Sequence, residues 1–476
     1  MGVSLRGRIT RSPLGARFSD PFIPVLQNIE NGSYAKRKGT DRPLLPYCPY
    51  ARITSVARRC LRKMGVLLLM VSACEKDSSL LGQWSTSTDN YHTIVDPNAS
   101  PSHPLDPLTT NEIKSAILLL EDQLLLSIDR ALVSVSLREP AKEIFRKPQS
   151  SARKQRMAQA TILDLTKNET IEAIADLTAG RIHDWRIVDE GQAPISAIDV
   201  RAAHAALAQS QLWTDALNKR GIEPQDVFPA VLAWGSATPD RVRRLRIVPF
   251  FRGARTSQFA QPIEGLSAVV NANAGKVERV LDLGPVSMAP PTDLLDVLPR
   301  PGTPRKRRGL EHSEATVVSV DGRQVSWGPW RFRFAVLPRE GLVIYDVAIM
   351  DSGRIRPIVH RASLSEMFVP YAAADSSWYF RAALDVGEYM LGTSVQPLIP
   401  SVDVPENALF ADVVQARGRT PMRLRYGTAL FERDGDILWR HADQGARARQ
   451  LVLRAVFTVG NYDYCVFWSI PATHSD

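Results

Sequence analysis

The feature that most constrains this chain is a two-residue alternation of apolar and charged side chains in its last third. Trp330, Phe332 and Phe334 alternate with two arginines, which is the period of a strand with one buried face. The turn P-R-E-G at 338–341 predicts a hairpin, and the alternation resumes after it. Another apolar strand is predicted over 448–459. The last third therefore favours a large antiparallel β-sandwich.

Upstream of this β region, the sequence twice places a helix before a group of strands. Thr109 and Glu112 have the spacing of a capping box, in which each side chain satisfies a backbone donor at the start of a helix. Ile113 and Ile117 then begin an apolar face with helical spacing. Alternating residues between 125 and 190, such as R-I-H-D-W-R-I-V, predict half-buried strands.

The second group begins with an alanine-rich helix over 200–220, and Gly221 occupies the position of a C-cap glycine. Strands are predicted in V-R-R-L-R-I-V-P-F-F, in P-I-E-G-L-S-A-V-V-N and in V-E-R-V-L-D-L-G. The predicted fold class is α+β. It consists of two small α+β domains, each a helix packed on an antiparallel sheet, followed by the β-sandwich.

These patterns divide the chain into four parts. Residues 1–100 are rich in Arg, Ser, Pro and Gly without periodicity, so they predict a disordered or leader segment. The ordered domains are placed at 101–190, 191–300 and 301–476. The Pro-rich stretch 285–309 ends in P-R-K-R-R-G and is interpreted as a solvated hinge, with a localisation signal as the alternative.

The net charge of +9 comes from the N-terminal segment. Residues 1–63 hold 13 Lys and Arg against 3 Asp and Glu, whereas the remainder holds 46 against 47. Phosphate binding needs a basic face on the folded domain itself. A nearly neutral body therefore argues against nucleic acid as a partner.

The four cysteines are too few and too scattered for a disulfide framework. Cys48, Cys60 and Cys74 lie in the N-terminal segment, and none of the spacings is typical of a zinc site. Cys465 lies in a late apolar strand and is expected to be a buried thiol.

One short apolar run follows a basic pair, from Met64 to Ala73. At about ten residues it is too short to span a bilayer. With Cys74 after it, the run resembles a secretion signal that ends in a lipoprotein-type cysteine. It would direct export only if translation starts at Met64; otherwise it is a piece of the leader segment, and a cytoplasmic protein is expected.

Three segments point to a known family when taken together. They are H-R-A-S-L-S-E-M-F-V-P-Y at 360–371, W-Y-F-R-A-A-L-D-V-G-E-Y-M-L-G at 378–392 and T-V-G-N-Y-D-Y at 458–464. In this order, after two small α+β domains, they resemble the copper amine oxidases. The resemblance covers about 101–470, and it implies that 101–190 and 191–300 correspond to the family's second and third N-terminal domains.

The resemblance implies a role for each site residue. Tyr462 matches the tyrosine that the family converts, with copper and oxygen, into topaquinone, whose carbonyl forms a Schiff base with a primary amine. Asp385 matches the catalytic base. Tyr371 matches the tyrosine that hydrogen-bonds a quinone oxygen, and Asn461 matches the residue that restrains the ring. Ala383 stands where many members carry an aromatic gate to the substrate channel, which predicts access for bulkier amines.

The implied base must remove a proton from carbon, which a carboxylate with an ordinary pKa of about 4 does poorly. Burial of Asp385 among Leu384, Val386 and neighbouring aromatic residues is expected to raise its pKa. Taken alone, Asp385 could instead cap a turn beside Gly387. Tyr462 and Tyr464, which alternate along a strand, could likewise be ordinary aromatic residues of the sandwich.

The family binds copper through three histidines, two of them as H-x-H, downstream of the quinone tyrosine. This sequence has no H-x-H, and it continues for 14 residues after Tyr462. Of its eight histidines only His474 follows the motif, and a solvated side chain is expected there; the others are His92, His103, His183, His204, His312, His360 and His441. The sandwich is therefore expected to be incomplete, with no metal ligands in this chain.

The implied reaction turns a primary amine, oxygen and water into an aldehyde, ammonia and hydrogen peroxide. The partners are then a small primary amine and oxygen, and the resemblance implies a homodimer. Without copper the tyrosine has no route to the quinone, so the chain as given is hypothesised to be catalytically silent. Phenylhydrazine labelling of Tyr462 would contradict that hypothesis. The alternative function is an inactive amine-oxidase-like sandwich that serves as an interaction module.

Overall fold

The first α+β unit has one long helix against a four-stranded antiparallel sheet. The structure is a computed structural model that describes residues 93–96, 99–145, 155–189, 191–234, 242–252, 258–259, 261–288, 317–371, 382–460 and 462–472. Helix α1 (Thr110–Asp122) begins at the predicted capping box: Glu112 N donates to Thr109 Oγ1 at 3.2 Å, and Thr109 N donates to Glu112 Oε2 at 2.9 Å. Its buried side chains include Ile113, Ile117 and Leu120.

The sheet of this unit has the order β1-β2-β3-β4. The strand β4 (Arg181–Ile187) differs from the half-buried strand predicted for it: nearly all of its side chains are exposed, with Trp185 at 51%. It is the edge strand, and of its apolar residues only Ile182 packs on the core around α1. The other elements are β1 (Arg130–Leu137), the short helix α2 (Lys142–Phe145), β2 (Met157–Asp164) and β3 (Glu169–Asp176).

The second α+β unit has two helices where one was predicted. Helix α3 (Ala197–Ala208) ends before Ser210, whose side chain accepts from Trp213 N at 3.3 Å and caps α4 (Gln211–Asn218). Ser is a strong N-cap residue, so it starts a second helix inside the alanine-rich run. Gly221 follows α4 at φ +64°, as its C-cap position predicted.

The sheet of the second unit has the order β5-β6-β7-β8. Its first strand was not predicted, because Pro229 lies in its middle; an edge strand tolerates proline since its outer side has no ladder bonds to lose. Leu217, Ile247 and Leu266 are buried in the core between the helices and this sheet. The strands are β5 (Val227–Ala233), β6 (Arg244–Phe251), β7 (Leu266–Asn271) and β8 (Lys276–Asp282).

The predicted antiparallel sandwich forms from two five-stranded sheets. One has the order β13-β12-β11-β10-β9, and the other has β16-β19-β18-β17 with β20 paired to β19. Phe332 and Leu342 from the first sheet share a core with Leu453 and Phe457 from the second. Gly341 starts the return strand of the predicted hairpin at φ +72°, and a Cβ there would lie 2.9 Å from the ring of Phe457.

The strands of the first sheet are β9 (Ser319–Asp321), β10 (Gln324–Trp327), β11 (Trp330–Leu337), β12 (Gly341–Asp351) and β13 (Arg354–Ala362). Those of the second are β16 (Val395–Gln396), β17 (Leu409–Arg417), β18 (Thr420–His441), β19 (Gln444–Val459) and β20 (Tyr462–Pro471). A small pair, β14 (Phe368–Pro370) and β15 (Ala382–Leu384), lies between them in sequence. The outer half of the β18–β19 hairpin is exposed, including Ile437 at 60% and Trp439 at 48%.

The predicted end of the N-terminal segment, at residue 100, differs from the structure. Thr93 bridges Phe410, and Val95 is buried in the sandwich core, so order begins before residue 100. Residues 93–96 are too few to show a hydrophobic periodicity, so the sequence pattern could not predict this contact. The proposed export segment, Cys48, Cys60 and Cys74, and the linker from 289 onward lie outside the described residues. None of the helices in the described ranges is both long and apolar enough to cross a membrane.

Candidate active site

Tyr462 lies at the first position of β20, directly after the turn that leaves β19. Gly460 in that turn has φ +57°, and Thr458 Oγ1 donates to Asp463 Oδ1 at 2.6 Å across it. The ring of Tyr462 is 41% exposed. Tyr371, just after β14, donates from its hydroxyl to the Tyr462 hydroxyl at 3.2 Å. The structure therefore brings together two of the side chains that the sequence selected, 91 residues apart in the chain.

Asp385 follows β15 and is buried, with 3% of its surface exposed. Its backbone N donates to Met367 O at 3.0 Å, and its Oδ2 accepts a short hydrogen bond from the Tyr464 hydroxyl. Val386 is buried beside it, as expected, but Leu384 is 44% exposed and does not help to bury the carboxyl. Strand alternation turns Leu384 outward, while Ala383 before it points into the protein.

Burial raises the pKa of Asp385, and two neighbouring side chains shift it in opposite directions. The hydrogen bond from Tyr464 lowers the pKa, and the negative charge of Glu366 raises it. Burial is the largest of these effects, so the carboxyl is a stronger base than a solvated aspartate. A raised pKa is the property that proton abstraction from carbon requires.

Tyr464 connects the carboxyl to the tyrosine pair. It stands two residues after Tyr462 on the same face of β20, and the two rings stack with centroids 5.9 Å apart. Burial, followed by the hydrogen bond to Asp385 and that residue's charge, raises the pKa of Tyr464. The phenol therefore stays protonated and donates to the carboxylate at neutral pH.

Glu366 holds the backbone that directly follows Asp385. Its Oε1 accepts from Met367 N and Val386 N, each at 2.9 Å, and both carboxylate oxygens accept from Gly387 N, at 3.2 and 3.0 Å. Arg339 lies 3.6 Å from Oε2. Hydrogen bonds from backbone amides to a carboxylate are charge-assisted and directional. Glu366 therefore fixes the loop that carries Asp385.

Glu388 ties the same loop to the second α+β unit. Its Oε2 accepts from Leu384 N and its Oε1 accepts from Ala233 N at the end of β5, both at 3.1 Å. Its backbone O accepts from Ile195 N at 2.9 Å. Burial raises the pKa of Glu388, against the lowering effect of the two backbone hydrogen bonds. The loop around Asp385 is therefore fixed by residues from separate parts of the chain.

The two remaining predicted positions are placed differently. Ala383 pairs with Val369 in the β14–β15 ladder and is 8% exposed, so its methyl group faces the interior beside Asp385. Asn461, between Gly460 and Tyr462, lies outside the described residues. Cys465, expected to be buried, is only half-buried, because β20 is an edge strand among the described strands.

Sequence reasoning missed three residues of this site: Tyr464, Glu366 and Glu388. Tyr464 had a usable signal, because a side chain two positions after Tyr462 on a strand must share its face. The two glutamates had none. Glu366 contacts a loop 20 residues away, and Glu388 contacts another domain.

Copper is the part of the expected site that the described residues do not supply. Within the described ranges, no three His, Cys, Asp or Glu side chains are grouped so that they could hold a metal ion. Two histidines lie near one aspartate: His360 Nδ1 is 3.1 Å from Asp346 Oδ1, and His103 Nε2 is 3.9 Å from Asp346 Oδ2. The described residues bring Tyr371 to Tyr462 and Tyr464 to Asp385, and the copper ligands stay a prediction.

Two segments match family models directly. Residues 319–473 match the copper amine oxidase enzyme domain, and residues 103–188 match the copper amine oxidase N2 domain. A primary amine oxidase from Arthrobacter sp. (strain P1) is 32% identical over 384 residues, which cover 78% of this chain and 59% of that protein. The chain belongs to the copper amine oxidase family. The resemblance noted from the sequence is thereby confirmed.

Other relatives agree with this membership. Primary amine oxidase 2 from Arabidopsis thaliana is 31% identical over 398 residues, covering 79% of this chain and 60% of that protein. The crystal structure of a copper-containing benzylamine oxidase from Hansenula polymorpha matches 78% of this chain and 62% of its own, with a TM-score of 0.64 and 21% identity, and shares the fold. This copper amine oxidase chain thus spans about three fifths of the length of the curated relatives that it matches.

Proposed function

We propose that this chain serves the oxidation of a primary amine by oxygen and water to an aldehyde, ammonia and hydrogen peroxide. The observation that carries the proposal is the arrangement of Tyr462, whose hydroxyl is bonded to Tyr371, beside the buried carboxyl of Asp385 and linked to it by Tyr464. Family membership supports the same activity. The relatives' names include a methylamine oxidase and a histamine oxidase, so the proposal extends to primary amines as a class and not to one amine.

Tyr462 is proposed as the precursor of topaquinone. A quinone formed from it would supply an electrophilic carbonyl to which a primary amine adds. The hydrogen bond from Tyr371 holds the ring oxygen in a fixed direction, and the exposed side of the ring leaves room for a small molecule. Asn461 is proposed to restrain the same ring.

Asp385 is proposed as the base that takes a proton from the substrate carbon next to nitrogen. Burial raises its pKa, so the carboxylate is a stronger proton acceptor than a solvated aspartate. The loop that carries it is fixed by Glu366 and Glu388, so the carboxyl is held in place before substrate arrives. Tyr464 donates its hydroxyl to the Asp385 carboxylate, and Tyr371 donates its hydroxyl to Tyr462.

A homodimer is proposed as the assembly. The exposed outer half of the β18–β19 hairpin supports it, since Ile437 and Trp439 present apolar area at the end of a long two-stranded extension. Ile437, Leu438 and Trp439 are consecutive and exposed, and contiguous exposed apolar surface is typical of protein contacts. The copper and its ligands stay an expectation from the family.

The test is to express the chain with copper and oxygen and to treat it with phenylhydrazine. If the chain acquires copper, we expect an adduct at Tyr462 by peptide mass spectrometry, together with quinone absorbance; this result would reject the hypothesis of a catalytically silent chain. Neither should appear in the Tyr462→Phe variant, whereas Tyr464→Phe should still form the adduct. Bound copper is measured in the same samples. Copper binding without an adduct would refute the proposed role of Tyr462, and the absence of both would favour the inactive, interaction-module alternative.

A further inference from the structure

We propose that Tyr464 is a positioning residue for Asp385: its hydroxyl fixes the direction of the carboxylate and keeps it ionised inside the protein. This inference rests on the proposed role of Asp385 as the base. It assigns a function to the second tyrosine of the N-Y-D-Y motif, which sequence reasoning treated as an ordinary aromatic residue of the sandwich.

Tyr464 is itself held firmly enough to position a partner. It pairs with Phe457 in the β19–β20 ladder and packs on the sandwich core. Its ring stacks on Tyr462, with the two planes 25° apart. A side chain with a fixed backbone and a stacked ring delivers its hydroxyl to one place, which is where Asp385 Oδ2 lies.

Asp385 needs such a donor. Its backbone N is bonded to Met367 O, so the carboxyl can turn only about its own side-chain torsions. Within the described part of the chain, Tyr464 is the side chain that donates to the carboxylate. Asp385 is buried, and burial penalises the charged form of a carboxylate, so loss of the donor would favour its protonated form. A protonated Asp385 could not act as a base.

The other charged groups near Asp385 offer a variant that should shift the pKa of Asp385 in the opposite direction. Glu366 is negative and holds the adjacent backbone, and Arg339 lies on the far side of Glu366. Glu388 is a third carboxyl in the same loop. Removing the Tyr464 hydroxyl should therefore raise the pKa of Asp385, whereas neutralising Glu366 should lower it. A merely structural role for Tyr464 predicts no rise in the pKa of Asp385 when the Tyr464 hydroxyl is removed.

The experiment is a titration of Asp385 by NMR in the full chain labelled with ¹³Cγ-aspartate, with the signal assigned by Asp385→Asn. We expect Tyr464→Phe to raise the pKa of Asp385 by about one unit or more, since a hydrogen bond to a charged group is at the strong end of the range. Glu366→Gln should lower it. The matched control is Tyr389→Phe, because Tyr389 lies in the same loop but donates to Val231 O at 3.3 Å; it should leave the pKa of Asp385 unchanged.

An unchanged or lowered pKa in folded Tyr464→Phe would overturn the proposal. If that variant fails to fold, 3-fluorotyrosine at position 464 replaces it: the more acidic phenol donates more strongly, so the pKa of Asp385 should fall, and no shift would overturn the proposal. The titration needs no copper, quinone or amine. Its failure is therefore distinguishable from failure of the proposed oxidase, which is tested by the adduct at Tyr462.

Discussion

Gly387→Ala tests how the loop that carries Asp385 is held. A Cβ at Gly387 would lie 2.6 Å from Glu366 Oε2, a distance at which one group must move. The backbone itself accepts alanine, because Gly387 is not among the positive-φ glycines. The cost therefore comes from the Glu366 carboxylate, which must withdraw from the amides of Val386 and Gly387 that it accepts from.

The expected loss is about 2–3 kcal/mol of the free energy of unfolding. Hydrogen bonds to a charged group contribute about 1.5–3 kcal/mol each. Two amides of the loop lose optimal geometry, and the glutamate side chain is 30% exposed, so water replaces part of what is lost. Alanine also restricts the unfolded chain, which offsets about 0.4–1 kcal/mol of the loss.

The assay is urea unfolding followed by tryptophan fluorescence, applied to a double-mutant cycle with Glu366→Ala. Trp327 and Trp330 in the sandwich core report the transition. With the carboxylate removed, the same Gly387→Ala change should cost under about 0.5 kcal/mol, which gives a coupling of about 2 kcal/mol. Equal costs in both backgrounds would refute the contact as the cause, and a changed m value would show that the transition itself had altered.

Three further changes have expected outcomes. Burial acts to raise the pKa of Asp164, but four hydrogen bonds to its carboxylate outweigh burial and lower the pKa to about 2. The stabilisation by Asp164 is therefore present at neutral pH and is lost as pH falls from about 4 to about 2. In urea unfolding, Asp164→Asn should lower the free energy of unfolding by about 2 kcal/mol at pH 7 and match the parent near pH 2. Asp199→Ala leaves the buried Arg243 guanidinium unpaired and should cost about 3–5 kcal/mol by the same assay, and a loss below about 1 kcal/mol would contradict the pairing. In an active, copper-loaded protein, Ala383→Tyr should shift turnover from benzyl-type towards short aliphatic amines, and unchanged selectivity would contradict its place in the substrate channel.

Local signals in the sequence predicted those parts of the fold that depend on neighbouring residues. The capping box at Thr109 and the hairpin before Gly341 are each decided within a few positions, and both form as predicted. The wrong predictions occur where packing between elements decides whether a strand forms and which of its faces is buried. Strand β4 alternates like a half-buried strand but has no core beyond Ile182, and the strand around Pro229 is permitted only because it is an edge.

The same distinction separates the site residues. Tyr371, Asp385 and Tyr462 were selected by resemblance, and the structure places the two tyrosines in contact. Tyr464 could have been inferred from strand periodicity, since it must share a face with Tyr462. Glu366 could not, because its role depends on a loop closure that no spacing in the sequence records.

The contacts of Glu388 extend the site into the second α+β unit. Its carboxylate accepts from Ala233 N at the end of β5, and its backbone O accepts from Ile195 N just before α3. Both contacts lie within three residues of Asp385, on a loop with no regular ladder of its own beyond the short β14–β15 pair. Through these two contacts that unit limits how far the base can move. The second α+β unit therefore helps to place the carboxyl, together with Glu366 and Tyr464.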